Sequence, residues 1–209
     1  VAAAATPSGL ILAGKHGTGV LSLSVLASDA VKSTLKEFWQ IAEETAEEHG
    51  NIMNRDEWKL VLHVFLAETR KEAIEQARIK AGQYQRGYFE NALGNSSDFD
   101  GPPDRIVDFM VEKGAWCVGT PDDLVNFIHL LDEQSGGFGG LLIQAAEWGT
   151  REQVLHSYEL LARYVMPHFQ DTMESLESSY DWAVERRDEL TKLRKNSLEK
   201  AQRAYRQES

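Results

Sequence analysis

The sequence predicts an α/β fold built on parallel strands. Three observations carry that expectation. Apolar runs of strand length are hydrophobic at odd and even positions alike, each is followed by a segment of helical spacing, and Gly or Pro closes the units. A strand that is apolar on both sides needs cover on both faces, which the helices joining parallel neighbours supply.

Residues 1–5 (VAAAA) form the first strand run, and Thr6, Pro7, Ser8 and Gly9 make the turn into a short helix that Gly17 ends. Residues 19–24 read as the second strand. The segment 29–49 sets Val31, Leu35, Phe38, Ala42 and Ala46 on one helical face, with Gly50 as its stop. In the third strand, 58–67, Leu60, Leu62, Val64 and Leu66 alternate with Val61, His63 and Phe65. Thr69 with Glu72 then forms a capping box for a helix whose face runs through Ala73, Ile74, Ala77, Ala81, Tyr84 and Tyr88. The polar Gly and Pro stretch 91–104 breaks this pattern and marks an insertion over about 89–118. Thr120, Pro121 and Asp123 open the next helix.

A glycine cluster leads into the fourth strand at Phe138, and Leu141, Leu142 and Ile143 suit burial on both faces. Thr150 and Gln153 form another capping box, after which Val154, Leu155, Tyr158, Leu161 and Val165 mark the face turned to the sheet and Pro167 the end of the helix. The main unit is therefore 1–170. Residues 171–209 read as an exposed, charged helical tail.

The composition is that of an ordinary soluble globular chain, with 42% hydrophobic and 26% charged residues. No apolar run approaches the ~18 residues of a membrane span. The net charge of −11 argues against nucleic acid as a partner. From Glu174 onward acidic and basic residues balance at eight each, so the negative excess sits on the main unit. The single Cys117 excludes an internal disulfide, suits a reducing cytoplasm, and reads as a small buried hydrophobe. The six histidines form no close pair at ligand spacing, and no metal is expected. His63, inside an apolar strand, reads as a satisfied core residue rather than a base. No GxSxG elbow and no P-loop occurs.

The segments CVGTPDDLVNFIHLL, GGFGGLLIQAAEW and ARYVMPHF, with VAAAATPSGLILAGKHGTGVLSLS at the start, give the chain a family likeness. In that order it resembles the C-terminal half of the bacterial luciferase-like flavin-dependent monooxygenases, in the limonene and alkanal monooxygenase branch. The likeness runs from Val1 to about Phe169. Each motif is moderately specific by itself, and their order carries the resemblance.

The resemblance implies a TIM-type (β/α)8 barrel of which this chain holds mainly the second half. A whole barrel needs about 250 residues, Val1 is not an initiator methionine, and the expectation is a chain truncated on its N-terminal side. The implied function is oxygenation of a hydrophobic organic substrate of terpene or aldehyde type by reduced FMN and O2, with a flavin reductase supplying the reduced FMN and a homodimer as the usual assembly. Deazaflavin F420 is the alternative cofactor, and a non-catalytic half-barrel that survives by pairing is the alternative of another class.

Strand C-termini gather the chemistry in such a sheet. Thr6, Ser8 and Gly9 sit there at a helix start, where free N–H groups and the helix dipole suit a phosphate; the residues alone fit simple N-capping as well. By resemblance this position contacts the FMN phosphate. Ser22 and Trp148 are the candidates for lining the substrate cavity, and Trp148 fits a core aromatic equally well. Glu68 and Glu147 each precede a helix start and do not read as an acid pair. The family's catalytic histidine has no counterpart here, so the catalytic residues stay unassigned.

Overall fold

The computed structural model describes residues 1–3, 7–23, 34–94, 97–170, 180, 182, 184–193, 195 and 197. It divides into two units, Val1–Val165 and Met166–Ser209.

In the first unit five parallel strands, β1 (Ala2–Ala3), β2 (Leu21–Ser22), β3 (Lys59–Leu66), β4 (Trp116–Gly119) and β5 (Gly140–Gln144), form one sheet. Around it lie α1 (Pro7–His16), α2 (Leu35–Glu48), α3 (Arg70–Tyr84), α4 (Ile106–Glu112), α5 (Pro121–Ser135) and α6 (Arg151–Leu160). β3 is the hub. Lys59 and Leu60 pair with both β2 and β5, and His63 pairs with both β4 and β5. A strand has only two edges, so β5 occupies one and β2 and β4 share the other, β2 at the start of β3 and β4 at its end.

Parallel register carries each residue's facing onto its partner. Leu60, Leu62, Val64 and Leu66 share one face with Ser22, Cys117, Leu141 and Ile143. Buried residues of α1, α2 and α5, with Leu160 and Val165, cover this face. Trp39 and Trp58 stack within it at 4.8 Å, with the Arg55 guanidinium over both rings. Val61, His63 and Phe65 share the opposite face with Trp116, Val118, Leu142 and Gln144. There Ala73, Ala77 and Ala81 of α3 and Ile106, Val107 and Met110 of α4 pack around Phe65, Trp116 and Trp148.

The helix starts follow from local sequence. Thr34 with Glu37, Thr120 with Asp123 and Thr150 with Gln153 form reciprocal capping boxes. The Thr69 hydroxyl accepts from the Glu72 amide as a one-way cap. Gly136 ends α5 in the left-handed region at φ 73°.

Four expectations need correction. Trp116–Gly119, which overlaps the end of the stretch read as an insertion, is a sheet strand, and α4 precedes it, so the sheet has five strands rather than four. Four residues are too short to announce a strand by periodicity. Leu142, expected inside, is 49% exposed, because β5 pairs only with β3 among the described residues and α3 and α4 do not cover its start. On α6 the buried positions are Ser157 and Leu160, while Leu155 and Tyr158 are exposed. The Ser157 hydroxyl accepts from the Leu66 amide at 2.8 Å, and this bond sets the rotation of the helix. Finally, α3 continues into a π-helical turn, Gln85–Ala92, whose wider winding takes Tyr88 off the stripe and leaves it half-exposed. Val31 and the other residues of 29–33 lie outside the described residues.

In the second unit Met166–His168 forms a 3-10 turn, and most of the described residues from Tyr180 on are helical and all are exposed. The Arg186 guanidinium lies 4.8 Å from the Trp182 ring centre.

The α1–α2 contact depends on Gly14, since a Cβ there would meet the Ala42 carbonyl oxygen at 2.5 Å and the Thr45 Cβ at 2.8 Å. Gly14→Ala is expected to destabilise the protein by about 1–3 kcal/mol, read as a lower urea midpoint.

Candidate functional site

Two places hold the candidates. The first is the start of α1, which follows β1. Pro7 stands at the first helical position without an N–H, and Ser8 and Gly9 follow it in the first turn. No acidic residue occurs in this turn, and Lys15 and His16 close the other end. Ser8 is exposed and Gly9 half-buried. Helix N-termini in general favour anions. Thr6 lies outside the described residues.

The second place is an aromatic box on the face of Val61, His63 and Phe65. His63 lies parallel to Trp148, with ring centres 5.5 Å apart and 2° between planes. Trp116 packs 4.4 Å from Trp148 and 5.6 Å from His63. Tyr84 and Phe89 meet His63 edge-on, each at 5.9 Å. The Tyr84 hydroxyl accepts from Gln144 Nε2 at 3.0 Å. Each partner arrives from a different element: β3, β4, the residues after β5, the end of α3 and the π-helical turn. Only the folded sheet collects them.

His63 Nε2 and Trp148 Nε1 are both buried without a hydrogen-bond partner. His63 is therefore not the satisfied core residue that its strand context suggested. Leaving such an atom unpaired costs about 1–3 kcal/mol, which makes the box a place where a polar ligand atom would be stabilised. Burial lowers the His63 pKa to about 4, so the imidazole is neutral at physiological pH. On the other face of the sheet, burial pushes the Cys117 thiol up to about 12 and leaves it an unreactive hydrophobe.

The two substrate-lining candidates are not brought together. Trp148, 1% exposed, stands in the aromatic box. Ser22 belongs to the opposite face, and its hydroxyl accepts from Trp58 Nε1 at 2.9 Å. Glu68 meets His156 Nε2 at 3.2 Å on the surface. Among the described residues no three His, Cys, Asp or Glu side chains gather as metal ligands, and no helix is long and apolar enough to cross a membrane. The sequence reading left His63, Tyr84, Phe89 and Trp116 unassigned to any site. A histidine in an otherwise apolar strand was the one signal available.

Comparison with known proteins places these features in context. No protein-family model matches the chain. It is 34% identical over 208 residues to a limonene 1,2-monooxygenase of Rhodococcus erythropolis, covering 98% of this chain and 52% of that protein. It is 30% identical over 187 residues to a 4-hydroxyprotoasukamycin monooxygenase of Streptomyces nodosus subsp. asukaensis, covering 88% of this chain and 50% of the relative. The chain thus spans about half the length of these curated relatives. Among solved structures, the oxygenating constituent of 3,6-diketocamphane monooxygenase from the CAM plasmid of Pseudomonas putida, a type II Baeyer-Villiger monooxygenase in complex with FMN, shares the fold. Its TM-score is 0.62 at 24% identity, over 80% of this chain and 47% of that one.

Two outcomes follow from this geometry. Ser22→Ala strands the Trp58 N–H and is expected to cost about 1–3 kcal/mol, measured by chemical denaturation. For His63 the unfolded chain protonates near 6.5 and the folded one near 4, so protons favour the unfolded state. Stability is complete above about pH 6.5 and falls by on the order of 3 kcal/mol as pH drops to about 4. His63→Phe should remove that acid-side loss from the pH dependence of Tm.

Proposed function

The chain belongs to the bacterial luciferase-like family of flavin-dependent monooxygenases, and from that premise we propose that it is part of an enzyme that oxygenates a hydrophobic organic substrate, of terpene or aldehyde type, with reduced FMN and O2. The observation that carries the reading is the 34% identity to a limonene 1,2-monooxygenase along nearly the whole chain. The start of α1 supports it: a helix N-terminus with no acidic residue in its first turn suits the phosphate of FMN, and in this reading Thr6, Ser8 and Gly9 lie at the cofactor. The flavin, when bound, supplies the redox chemistry with O2.

The chain's own contribution in this reading is to hold the phosphate and to keep water from the reacting ring through the aromatic box that includes Trp148. The exposed side of β5, with Leu142 half-exposed, fits a sheet that continues into the rest of a (β/α)8 barrel. A reductase that delivers reduced flavin and a homodimeric assembly complete the proposal.

The test uses FMN and riboflavin, which differ in the phosphate alone. FMN should quench in titration with higher affinity than riboflavin, and Ser8→Asp should weaken FMN about tenfold while leaving riboflavin unchanged. Tight binding of reduced F420 with none of FMN would overturn the choice of cofactor.

A further inference from the structure

On the Val61, His63 and Phe65 face the row of aromatic rings does not end in the core. Trp116 and Trp148 are both buried, with ring centres 4.4 Å apart. Trp148 meets Tyr84 edge-on at 6.3 Å, and Tyr84 stacks on Tyr88 at 5.7 Å. Tyr84 is half-buried and Tyr88 is 49% exposed, so the row leads from buried indoles to solvent. The stacked pair Trp39 and Trp58 on the other face is unlike it. Both of those indoles are fully buried and carry the Arg55 guanidinium over their rings, a positive charge that opposes the loss of an electron.

We propose that Trp148, Tyr84 and Tyr88 form an electron relay that passes oxidative damage from the buried indoles to the surface, where it can be repaired. The relay rests on the monooxygenase reading above, which supplies its oxidant: an oxygen-centred radical, formed when reduced flavin and O2 react without oxygenating a substrate. Indole and phenol give up one electron far more readily than phenyl or a neutral imidazole, so Phe89 and His63 pack the row without joining it. At neutral pH a phenol that can shed its proton is easier to oxidise than an indole. The electron vacancy therefore moves from Trp148 toward tyrosine.

The proton decides which tyrosine holds it. Gln144 donates to the Tyr84 hydroxyl at 3.0 Å, and burial, with Tyr88 beside it, pushes the Tyr84 phenol above its ordinary pKa. Tyr84 keeps its proton and serves as the bridging ring, while Tyr88 has water at hand. The steps balance. A hydroxyl radical takes one electron from Trp148 and becomes hydroxide, an electron from Tyr88 crosses the Tyr84 ring to refill the indole, and the Tyr88 phenol gives its proton to water. Hydroxyl and tyrosine have then become water and a tyrosyl radical. A thiol such as glutathione returns one hydrogen atom to Tyr88 and leaves as a thiyl radical. An oxidised Trp148, 1% exposed, is out of reach of that reductant.

The test is flash photolysis of the protein without flavin, at a wavelength that tryptophan absorbs and tyrosine does not. Light ejects an electron from indole, and dissolved O2 takes it up as superoxide. Tryptophanyl absorption should decay while tyrosyl absorption rises, at a rate independent of protein concentration. Tyr88→Phe, which keeps the ring at a half-exposed position, should remove that rise, and Tyr180→Phe should leave it intact. Under repeated flashes with glutathione present, peptide mass spectrometry should find oxidised Trp148 accumulating faster in Tyr88→Phe than in the wild type. No tyrosyl rise in the wild-type protein, a rise that survives Tyr88→Phe, or equal accumulation at Trp148 would overturn the relay. Such a failure leaves the flavin reading standing, because no flavin is present, whereas loss of FMN binding in the titration above strikes that reading instead.

Discussion

The edges of β3 limit everything else in the main unit. Eight residues, Lys59–Leu66, offer two rows of hydrogen bonds, and three strands compete for them. β5 takes one row. β2 is two residues long and uses only the start of the other, which leaves the end of that row free for β4. The short β2 thus creates the place for a strand that its own four residues would never nominate.

The same strand divides the chemistry. Its Leu60, Leu62 and Leu66 face is closed by helices into a dry core, where the polar atoms of Ser22 and Trp58 satisfy each other. The Val61, His63 and Phe65 face is different. It is bare around Leu142 at the start of β5 and covered toward the C-terminal ends by α3, α4 and the aromatic box. His63 Nε2 and Trp148 Nε1 are unpaired there, as Trp39 Nε1 is on the other face, and each costs stability. The start of α1 and, within the aromatic box, Trp148 stand after strand C-termini, the side on which parallel α/β folds gather their sites, whereas His63 lies within β3 and Trp116 begins β4.

Much of this was legible in the residues. Apolar runs at 58–67 and 138–143, threonine caps at 69, 120 and 150, and glycine stops at 17 and 50 located the long elements, because each signal is local and needs no partner. Helix rotation was harder. Leu155 and Tyr158 look like core by spacing, but the bond between the Leu66 amide and Ser157 turns them outward. The π-helical winding after Tyr84 similarly breaks a stripe that a period of 3.6 would extend to Tyr88.

The sequence by itself determined the parallel α/β class, the order of the long elements and, through its ordered motifs, the family. Only the tertiary structure decided that Trp116–Gly119 is a strand, that Ser22 and Trp148 lie on opposite faces, and that His63, Trp116, Tyr84, Phe89 and Trp148 meet. The physical reason is range. Capping and periodicity act within a few residues, whereas strand edges and aromatic packing join positions as far apart as 63 and 148, and nothing near either position in the chain reports the other.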